Sequence, residues 1–343
     1  YVMKVGEEIG GLLDDYAVVV TKSTVPVGTN RAVAEVIRKN LKTAVDFDMA
    51  SNPEFLREGS SIEDFMRPDR VVIGAETERS EQLLRAIYRP LYLLDTPIVK
   101  TTIETAELIK YASNSFLAVK ISFINEIARL AEAVGADVRD VDKSMGLDKR
   151  IGSKFLHAGL GFGGSCLPKD TNAIVHIAQE AGSDMSIVRS AIDVNAGLPA
   201  RAMAKAVRMA GDLSGKTVSL LGVAFKPNTD DIRSAASLEL VKLLLEAGAT
   251  VKAHDPAAME NFKTFYPDLT YCKSPYEACE GADLCILVTE WNQYRQLDFN
   301  WLSETMTGKA FLDCRNVYDR PHLEKFDFTY DCFGRADHSS PAG

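Results

Sequence analysis

The sequence predicts an α/β fold in which two parallel-sheet domains are joined by a long central helix and a helical segment. Short apolar strands alternate with amphipathic helices over residues 1–100, and the same alternation resumes after residue 210. Between them, residues 104–134 contain neither glycine nor proline and carry apolar side chains at helical spacing. We therefore expect three domains, at residues 1–100, 101–210 and 211–335, of which the first and third are Rossmann-like.

The elements of the first domain follow from composition and periodicity. Ala17–Thr21 and residues 70–74 have the β-branched, apolar composition of buried strands, and Thr29–Asn40 and residues 80–91 have helical periodicity. This alternation predicts a parallel sheet covered by helices. A dinucleotide-binding domain opens with a strand, a GxGxxG turn and a helix, whereas residues 1–15 are predicted to form a helix. We therefore expect the first βα units of this domain to precede residue 1, so that the domain is truncated at its N-terminus here.

The long helix predicted at 104–134 carries two polar residues where apolar ones are expected. Lys110 and Asn114 lie one turn apart on a face that continues through apolar residues. Such residues need polar partners or a cavity. Further helices are predicted at 137–146, 170–181, 186–209 and 237–247. Strands of the third domain are predicted at 216–222, 250–254, 283–288 and 309–313.

Composition excludes several classes of function. The 343 residues are 46% hydrophobic and 25% charged, as in ordinary globular proteins. The formal net charge of −9 argues against nucleic acid or an anionic membrane as a partner. No apolar run approaches the length of a membrane span and no signal peptide is visible, so we expect a cytoplasmic protein. The six cysteines lack metal-ligand spacing, which favours reduced thiols over a disulfide framework or a metal site.

The most informative stretch is residues 161–170, Gly-Phe-Gly-Gly-Ser-Cys-Leu-Pro-Lys-Asp. A glycine-rich backbone can present its N–H groups to an anion. A helix beginning near Pro168 would direct its positive end at Cys166 and favour the thiolate. The loop therefore predicts an anion site beside a cysteine nucleophile. The alternative is a helix-entry loop in which Cys166 is a small apolar filler.

This loop resembles the active-site cysteine motif of the UDP-glucose/GDP-mannose 6-dehydrogenase family. Five further segments resemble motifs of that family, in the same order along the chain. They are Lys-Ser-Thr-Val-Pro-Val-Gly-Thr at 22–29, Ser-Asn-Pro-Glu-Phe-Leu-Arg-Glu-Gly at 51–59, Glu-Leu-Ile-Lys-Tyr-Ala-Ser-Asn at 107–114, Arg-Ile-Gly-Ser-Lys-Phe-Leu at 150–156 and Gly-Val-Ala-Phe-Lys-Pro-Asn-Thr-Asp-Asp-Ile-Arg-Ser at 222–234. The resemblance implies oxidation of a sugar-nucleotide primary alcohol to a carboxylic acid with two molecules of NAD.

A four-electron oxidation of this kind needs a nucleophile at the aldehyde stage, and a thiolate can supply it by forming a thiohemiacetal and then a thioester. Developing oxyanions need a nearby cation or hydrogen-bond donor, and hydrolysis of the thioester needs a base. The resemblance implies that these roles fall to Cys166, Lys110, Asn114, Asp170, Glu54 and Thr24. Whether Glu54 or Asp170 acts as the base stays open.

The resemblance also implies binding residues and an assembly. The substrate-binding set is Phe55, Leu56, Lys110, Asn114, Arg150, Phe155, Gly161, Gly163, Phe225 and Lys226. The cofactor-binding set, for NAD, is Thr24, Glu58, Lys169 and Arg233. Arg150 resembles an arginine that reaches the sugar in the neighbouring subunit, and the long central helix is expected to form a homodimer.

The sugar is ranked by details of the motifs. The segment 150–156 ahead of the cysteine loop favours UDP-glucose, followed by GDP-mannose and other UDP-sugars. Ser165 stands where relatives acting on N-acetylated aminosugars usually carry histidine. His157 is a departure, because relatives often carry lysine near the phosphates there, and a neutral imidazole would bind a diphosphate less well.

Two other classes of function compete with this interpretation. Because the GxGxxG turn is absent, the chain could be a sugar-nucleotide-binding fragment without NAD binding. A cysteine hydrolase would need a histidine partner for Cys166, and His157 and His176 are the candidates.

Overall fold

The computed structural model describes residues 1–336, with residues 92–94 described by their backbone alone. The chain divides into two compact units. The first comprises Tyr1–Ser115 and Ala173–Asp184, and the second comprises Phe116–Asn172 and the chain from Met185 onward.

The sheet of the first unit has four strands in the order β1-β2-β3-β4. These strands are β1 (Ala17–Thr21), β2 (Phe47–Ser51), β3 (Val71–Ala75) and β4 (Ile98–Thr101). The pairs β1/β2 and β3/β4 are parallel, whereas β2 and β3 are antiparallel, with Ser51 opposite Gly74. The expectation of a wholly parallel sheet is therefore wrong at this pair. The connecting residues 52–70 hold only the six-residue helix α3 (Ser61–Met66) and stay at one end of the sheet, whereas a parallel pair needs a crossover to the opposite end.

Helices cover both faces of this sheet. Besides α3, the first unit contains three complete α-helices, which are α1 (Val2–Leu12), α2 (Thr29–Asn40) and α4 (Glu78–Ile87). A 3-10 helix follows at Arg89–Leu94. Neighbouring residues of β2 point to opposite faces, as strand geometry requires. Met49 packs with Ile37 of α2, and Ala50 packs with Leu84 of α4. The helices predicted at 1–15 and 29–40 are confirmed, and the one predicted at 80–91 is α4 followed by the 3-10 turn.

The long helix α5 spans Ile103–Val134, which is 32 residues, and confirms the prediction at 104–134. The division between the two units falls within it, after Ser115. Ala118, Ile124 and Ala128 of its second half are fully buried. Apolar residues on another face remain exposed, and Phe116 is 65% exposed.

Four helices follow α5: α6 (Val138–Leu147), α7 (Leu167–Glu180), α8 (Ser186–Ala196) and α9 (Leu198–Ala210). The single helix predicted at 186–209 is wrong, because the chain breaks at Gly197 between α8 and α9. Pro199 lacks the backbone N–H that an interior helical position would need, and it lies in the first turn of α9, where none is needed.

The second unit contains a six-stranded, wholly parallel sheet in the order β10-β9-β8-β5-β6-β7. The strands are β5 (Thr217–Leu221), β6 (Thr250–His254), β7 (Thr270–Tyr271), β8 (Leu284–Leu287), β9 (Ala310–Asp313) and β10 (Thr329–Cys332). The four predicted strands are confirmed, while β7 and β10 were not predicted, because a two-residue strand and an aspartate-containing one carry little pattern. The strand order reverses direction at β5, so the segment after β5 lies at a topological switch point, where ligands of such sheets bind.

The helices around this sheet are α10 (Ala236–Glu246), α11 (Met259–Lys263), α12 (Pro275–Cys279), α13 (Phe299–Thr305) and α14 (Arg320–Glu324), with a 3-10 helix at Asn292–Gln296. Together with α9 they enclose a large apolar core. No helix in the part of the chain that the structure describes is long and apolar enough to cross a membrane.

A buried ion cluster joins three elements of the second unit. The Lys205 Nζ atom of α9 lies 2.9 Å from Glu132 Oε1 of α5 and 3.1 Å from Asp331 Oδ1 of β10. The Lys205 side chain is only 3% exposed. The Gly334 N–H donates to the same Glu132 oxygen over 2.7 Å. Charges this deeply buried persist only when each has its partners.

Candidate active site

In the second unit, Cys166 lies immediately before α7. The Asp170 N–H donates to the Cys166 carbonyl oxygen over 2.9 Å, so this residue occupies the helix cap and Asp170 lies one turn along. The Cys166 side chain is exposed, and its Sγ is 3.7 Å from the Ser165 hydroxyl. The helix start predicted near Pro168 is thereby confirmed, and the thiol lies at the positive end of the helix.

The other five cysteines are buried in the second unit. Burial raises the pKa of the Cys332 thiol to about 12 and raises that of Cys272 as well. Such thiols remain protonated and are poor nucleophiles. None of the six cysteines, all of which lie in the described part of the chain, forms a disulfide.

The glycines of the cysteine loop pack tightly. A Cβ atom on Gly161 would lie 2.0 Å from Asn195 Oδ1, and one on Gly164, where φ is +80°, would lie 2.7 Å from the Phe225 ring. A Cβ atom on Gly163 would lie 2.5 Å from a backbone carbonyl oxygen. Only glycine fits such close approaches.

Several N–H groups of this loop are engaged within the protein. Gly159 donates to Asn125 Oδ1 and Phe162 donates to Asn195 Oδ1, at 3.0 and 2.8 Å. Gly164 donates to the Arg233 carbonyl oxygen over 2.8 Å. The interpretation of residues 161–170 as an anion cradle is therefore wrong for the N–H groups of Phe162 and Gly164, and Gly159 lies just before that loop. Its glycines serve close packing.

A cavity of about 640 Å³ opens beside the cysteine loop. Its lining is Gly164, Ser165, Pro168, Lys169, Asn172, Arg233 and Ser234. The structure thus brings together Lys169 and Arg233, two of the four predicted cofactor residues, next to the nucleophile loop. Each basic group has a neighbouring carboxylate. Lys169 pairs with Asp170, and Arg233 lies 2.7 Å from Asp231 Oδ2.

The predicted substrate residues of the second unit lie in two places. Phe225 packs on Gly164, and the Lys226 ammonium is 5.4 Å from the Phe225 ring centre. Arg150 is 89% exposed and pairs with Asp148. Neither Arg150 nor Phe155, which has a φ of +66°, is among the described residues that line the cavity.

Three further residues concern the segment that carries Arg150 and the hydrolase alternative. Lys120 Nζ donates to the carbonyl oxygens of Ile151 and Gly152, and so holds the segment that carries Arg150. His157 is 3.7 Å from Asp142, and His176 is 3.3 Å from Glu180. Both histidines therefore have carboxylate neighbours of their own.

In the first unit, Lys110 and Glu54 form a partly buried ion pair, with Nζ 3.2 Å from Oε1. The Lys110 side chain is 4% exposed and that of Glu54 is 27% exposed. Asn114, one turn along α5, is also buried. Two predicted catalytic residues from distant parts of the sequence are thus in direct contact.

The substrate-loop residues Phe55 and Leu56 lie beside this pair. The Leu56 N–H donates to Glu54 Oε2. The Phe55 ring centre is 5.3 Å from Lys110 Nζ and 3.6 Å from Arg70 Cζ. Glu58 is exposed in the turn that follows.

Thr24 is half-buried in the turn between β1 and α2. Glu107 of α5 holds this turn, because its carboxylate accepts the N–H of Gly28 over 2.7 Å and the N–H of Asn30 over 2.9 Å. Asn52 Oδ1 accepts from Lys22 Nζ over 3.2 Å and from the Tyr88 hydroxyl. These contacts place Lys22 and Thr24 at the edge where β1 and β2 end.

Comparison with known proteins matches three domain models, all of the UDP-glucose/GDP-mannose dehydrogenase family. The NAD binding domain matches residues 1–92, the central domain residues 104–197 and the UDP binding domain residues 219–320. The chain belongs to the UDP-glucose/GDP-mannose dehydrogenase family. It is therefore an oxidoreductase with two Rossmann-like sheets, as the motifs predicted.

Individual relatives of the family agree with this assignment. A UDP-glucose 6-dehydrogenase of Rhizobium meliloti is 49% identical over 98% of this chain and 78% of its own length. One from Bacillus subtilis is 41% identical over 98% of this chain and 72% of its own length. The solved structure of a UDP-glucose dehydrogenase from Pyrobaculum islandicum superposes with a TM-score of 0.85 and 43% identity, covering 92% of this chain and 71% of that one.

Four residues that were not predicted from sequence hold the loops of the candidate site by side-chain hydrogen bonds. They are Asn52, Glu107, Asn125 and Asn195. Glu107 and Asn125 carry a signal that could have found them, since each is a polar residue at a buried position of α5, as Lys110 and Asn114 are. Asn52 and Asn195 carry none, because their partners come from distant segments.

Proposed function

We propose that this chain oxidises UDP-glucose to UDP-glucuronate in two NAD-dependent steps, with Cys166 as the covalent nucleophile. The observation that carries the proposal is the exposed Cys166 thiol at the start of α7, beside a cavity lined by Lys169 and Arg233, while the other five cysteines are buried. The high identity to a relative named UDP-glucose 6-dehydrogenase supports this sugar over GDP-mannose and other UDP-sugars.

The cavity beside the cysteine loop fits a dinucleotide cofactor in volume and charge. Its volume of about 640 Å³ is typical of ligand sites, and its two basic side chains suit a diphosphate. Lys169 and Arg233 would hold the diphosphate. Thr24 and Glu58 are the other two proposed cofactor contacts. NAD supplies the acceptor for the two hydrides.

The chemistry at the sugar carbon balances with two hydrides and one water. The alcohol first loses a hydride from carbon and a proton from oxygen, which gives an aldehyde. The Cys166 thiolate adds to that carbon, and the oxyanion takes a proton to give a thiohemiacetal. Loss of the second hydride and of the hydroxyl proton leaves a thioester. Water then breaks the carbon–sulfur bond, giving the acid and the free thiol.

Lys110 and Asn114 are the groups proposed to stabilise the oxyanions in these steps. An ammonium and an amide, buried one turn apart on α5, provide a charge and a hydrogen-bond donor in a site of low water content. Glu54 and Asp170 are the two candidate bases for the hydrolytic water, with the Thr24 hydroxyl as a further contact. The Glu54–Lys110 ion pair supports a proton-handling role for Glu54.

Stoichiometry tests the proposed reaction. The full chain, incubated with UDP-glucose and excess NAD, is expected to produce two NADH for each sugar consumed, and GDP-mannose is expected to be a much poorer substrate. Absorbance at the NADH band and chromatography of the sugar nucleotide supply the two numbers. A ratio of one NADH per sugar would refute the proposal. Binding of UDP-glucose without binding of NAD, in separate titrations, would also refute it and would favour a binding module.

The homodimer is proposed to form through the exposed apolar face of α5 in the second unit. Phe116, Phe123 and Leu130 recur every seven residues along it and are 65%, 44% and 57% exposed. Residues at this spacing lie along one side of a helix. Exposed apolar stripes of this kind mark interaction surfaces.

Substitution of Phe123 by Glu is expected to shift the protein from dimer to monomer, because two carboxylates would be buried against an apolar surface. Sedimentation velocity at micromolar concentration measures the change. Phe265→Glu is the matched control, since Phe265 is 62% exposed but lies outside α5. A native protein that sediments as a monomer would remove the basis for this interface.

A further inference from the structure

Arg70 is a half-buried cation of the first unit. It directly precedes β3, and its guanidinium carbon lies 3.6 Å from the centre of the Phe55 ring. Among the side chains that the structure describes, none forms a salt bridge with it. Burial lowers the pKa of Arg70, although the charge of Asp69 opposes this shift. Partial burial removes water from the guanidinium, which costs free energy. The contact with the Phe55 ring offsets part of that cost.

The same aromatic ring faces the ion pair of the first unit. Lys110 Nζ is 5.3 Å from the Phe55 ring centre and 3.2 Å from Glu54 Oε1. Phe55 therefore contacts two cations, one of which is neutralised by Glu54, the residue that precedes it. Phe55 directly follows Glu54 in the chain, so a contact that holds the Phe55 side chain in place also restrains the backbone next to Glu54.

Arg70 also reaches α5. Its Nη2 atom lies 3.5 Å from the Ser113 hydroxyl, which itself donates to the Ile109 carbonyl oxygen over 2.7 Å. Ser113 is three residues after Lys110, so it lies one turn along the same helix. The guanidinium thus connects the loop after β2 with the helix that carries Lys110.

The reversal of the sheet explains how Arg70 comes to be there. Because β3 runs antiparallel to β2, the start of β3 lies beside the loop that leaves the end of β2. If β3 were parallel to β2, Arg70 would lie beside the start of β2, at the other end of the strands.

We infer that Arg70 is a positioning residue, whose planar guanidinium fixes the Phe55 ring and thereby holds the Glu54 carboxylate against Lys110. The inference rests on the proposed function for the roles of Glu54 and Lys110, and on the contacts above for the role of Arg70. Stacking needs a flat, delocalised cation, which lysine does not provide.

Kinetics of Arg70→Gln and Arg70→Lys test the positioning role. We expect Arg70→Gln to lower kcat roughly 10- to 100-fold with the KM for UDP-glucose nearly unchanged, because small displacements of reacting groups have effects of this size. Arg70→Lys should recover only part of the loss. Arg79→Gln is the matched control, since Arg79 stacks on Tyr16 of the same unit at 3.3 Å. It should behave as the native protein.

A double-mutant cycle supplies a readout that does not depend on activity. Arg70→Gln and Phe55→Leu should shift the thermal midpoint less in combination than the sum of their separate shifts, because they remove the same contact. Additive shifts of the thermal midpoint would overturn the inference. A raised KM with unchanged kcat in Arg70→Gln would also overturn it, because Arg70 would then be a direct substrate contact. If the native protein fails to oxidise UDP-glucose, the proposed function fails, and the cycle still decides whether Arg70 fixes Phe55.

Discussion

Replacement of Cys166 by Ser is expected to stop acid formation, with a loss in rate on the order of 10³-fold or more, as for removal of other covalent nucleophiles. A serine hydroxyl at this place has no adjacent base in the described contacts and forms no thioester. Affinity for UDP-glucose should stay within about threefold, because the cavity lining is unchanged. NADH per sugar, uronate by chromatography and substrate affinity by calorimetry are the measurements.

Cys272→Ser is the matched control for this substitution. Its thiol is buried, and burial raises its pKa, so it should contribute nothing to the chemistry. Mass spectrometry of acid-quenched native protein should reveal a sugar adduct on the peptide with Cys166, absent from the variant. Uronate formation by Cys166→Ser at the native rate, with no adduct in the native protein, would contradict the covalent route.

Replacement of Lys205 by Met is expected to give the largest loss of stability. The substitution keeps the aliphatic volume but leaves Glu132 and Asp331 as neighbouring carboxylates without their shared cation. Removing one member of a buried ion cluster typically lowers the free energy of unfolding by about 3–5 kcal/mol. We expect a loss of about 3 kcal/mol for Lys205→Met, because Glu132 is partly exposed. The thermal midpoint should fall by roughly 5–10 °C.

Lys242→Met is the matched control, because Lys242 forms an exposed ion pair with Glu239 on α10 and its loss should leave the midpoint unchanged. Equal midpoints for the two variants would contradict a stabilising role for the buried cluster. Burial alone would raise the pKa of Glu132, but the charge of Lys205 and hydrogen bonds from Gly334, Lys205 and Arg201 hold it below its ordinary value. The native protein should therefore lose this contribution as the pH falls below the ordinary range of glutamate, and Lys205→Met should lose less, since only the contacts of Glu132 with Gly334 and Arg201 remain.

Local pattern was sufficient for much of the fold. Helical periodicity located α5 and α2, and β-branched runs located β1, β3 and the central strands of the second sheet. Motif spacing was sufficient to assign the family. These features depend on residues close together in the chain, which is why they can be read without coordinates.

Contacts between distant segments required the folded chain. The antiparallel reversal after β2 depends on how a loop returns, and it alone brings Arg70 to Phe55. Close contacts with Asn195 and Phe225 explain why Gly161 and Gly164 must be glycines. From sequence alone, these glycines are interpreted as part of an anion-binding loop. Glu54 and Lys110 are 56 residues apart, and their ion pair forms because the folded chain brings the loop after β2 to α5. Residue type and periodicity identify which groups can react, whereas their pairing follows from close packing, in which each position is determined by all its neighbours at once.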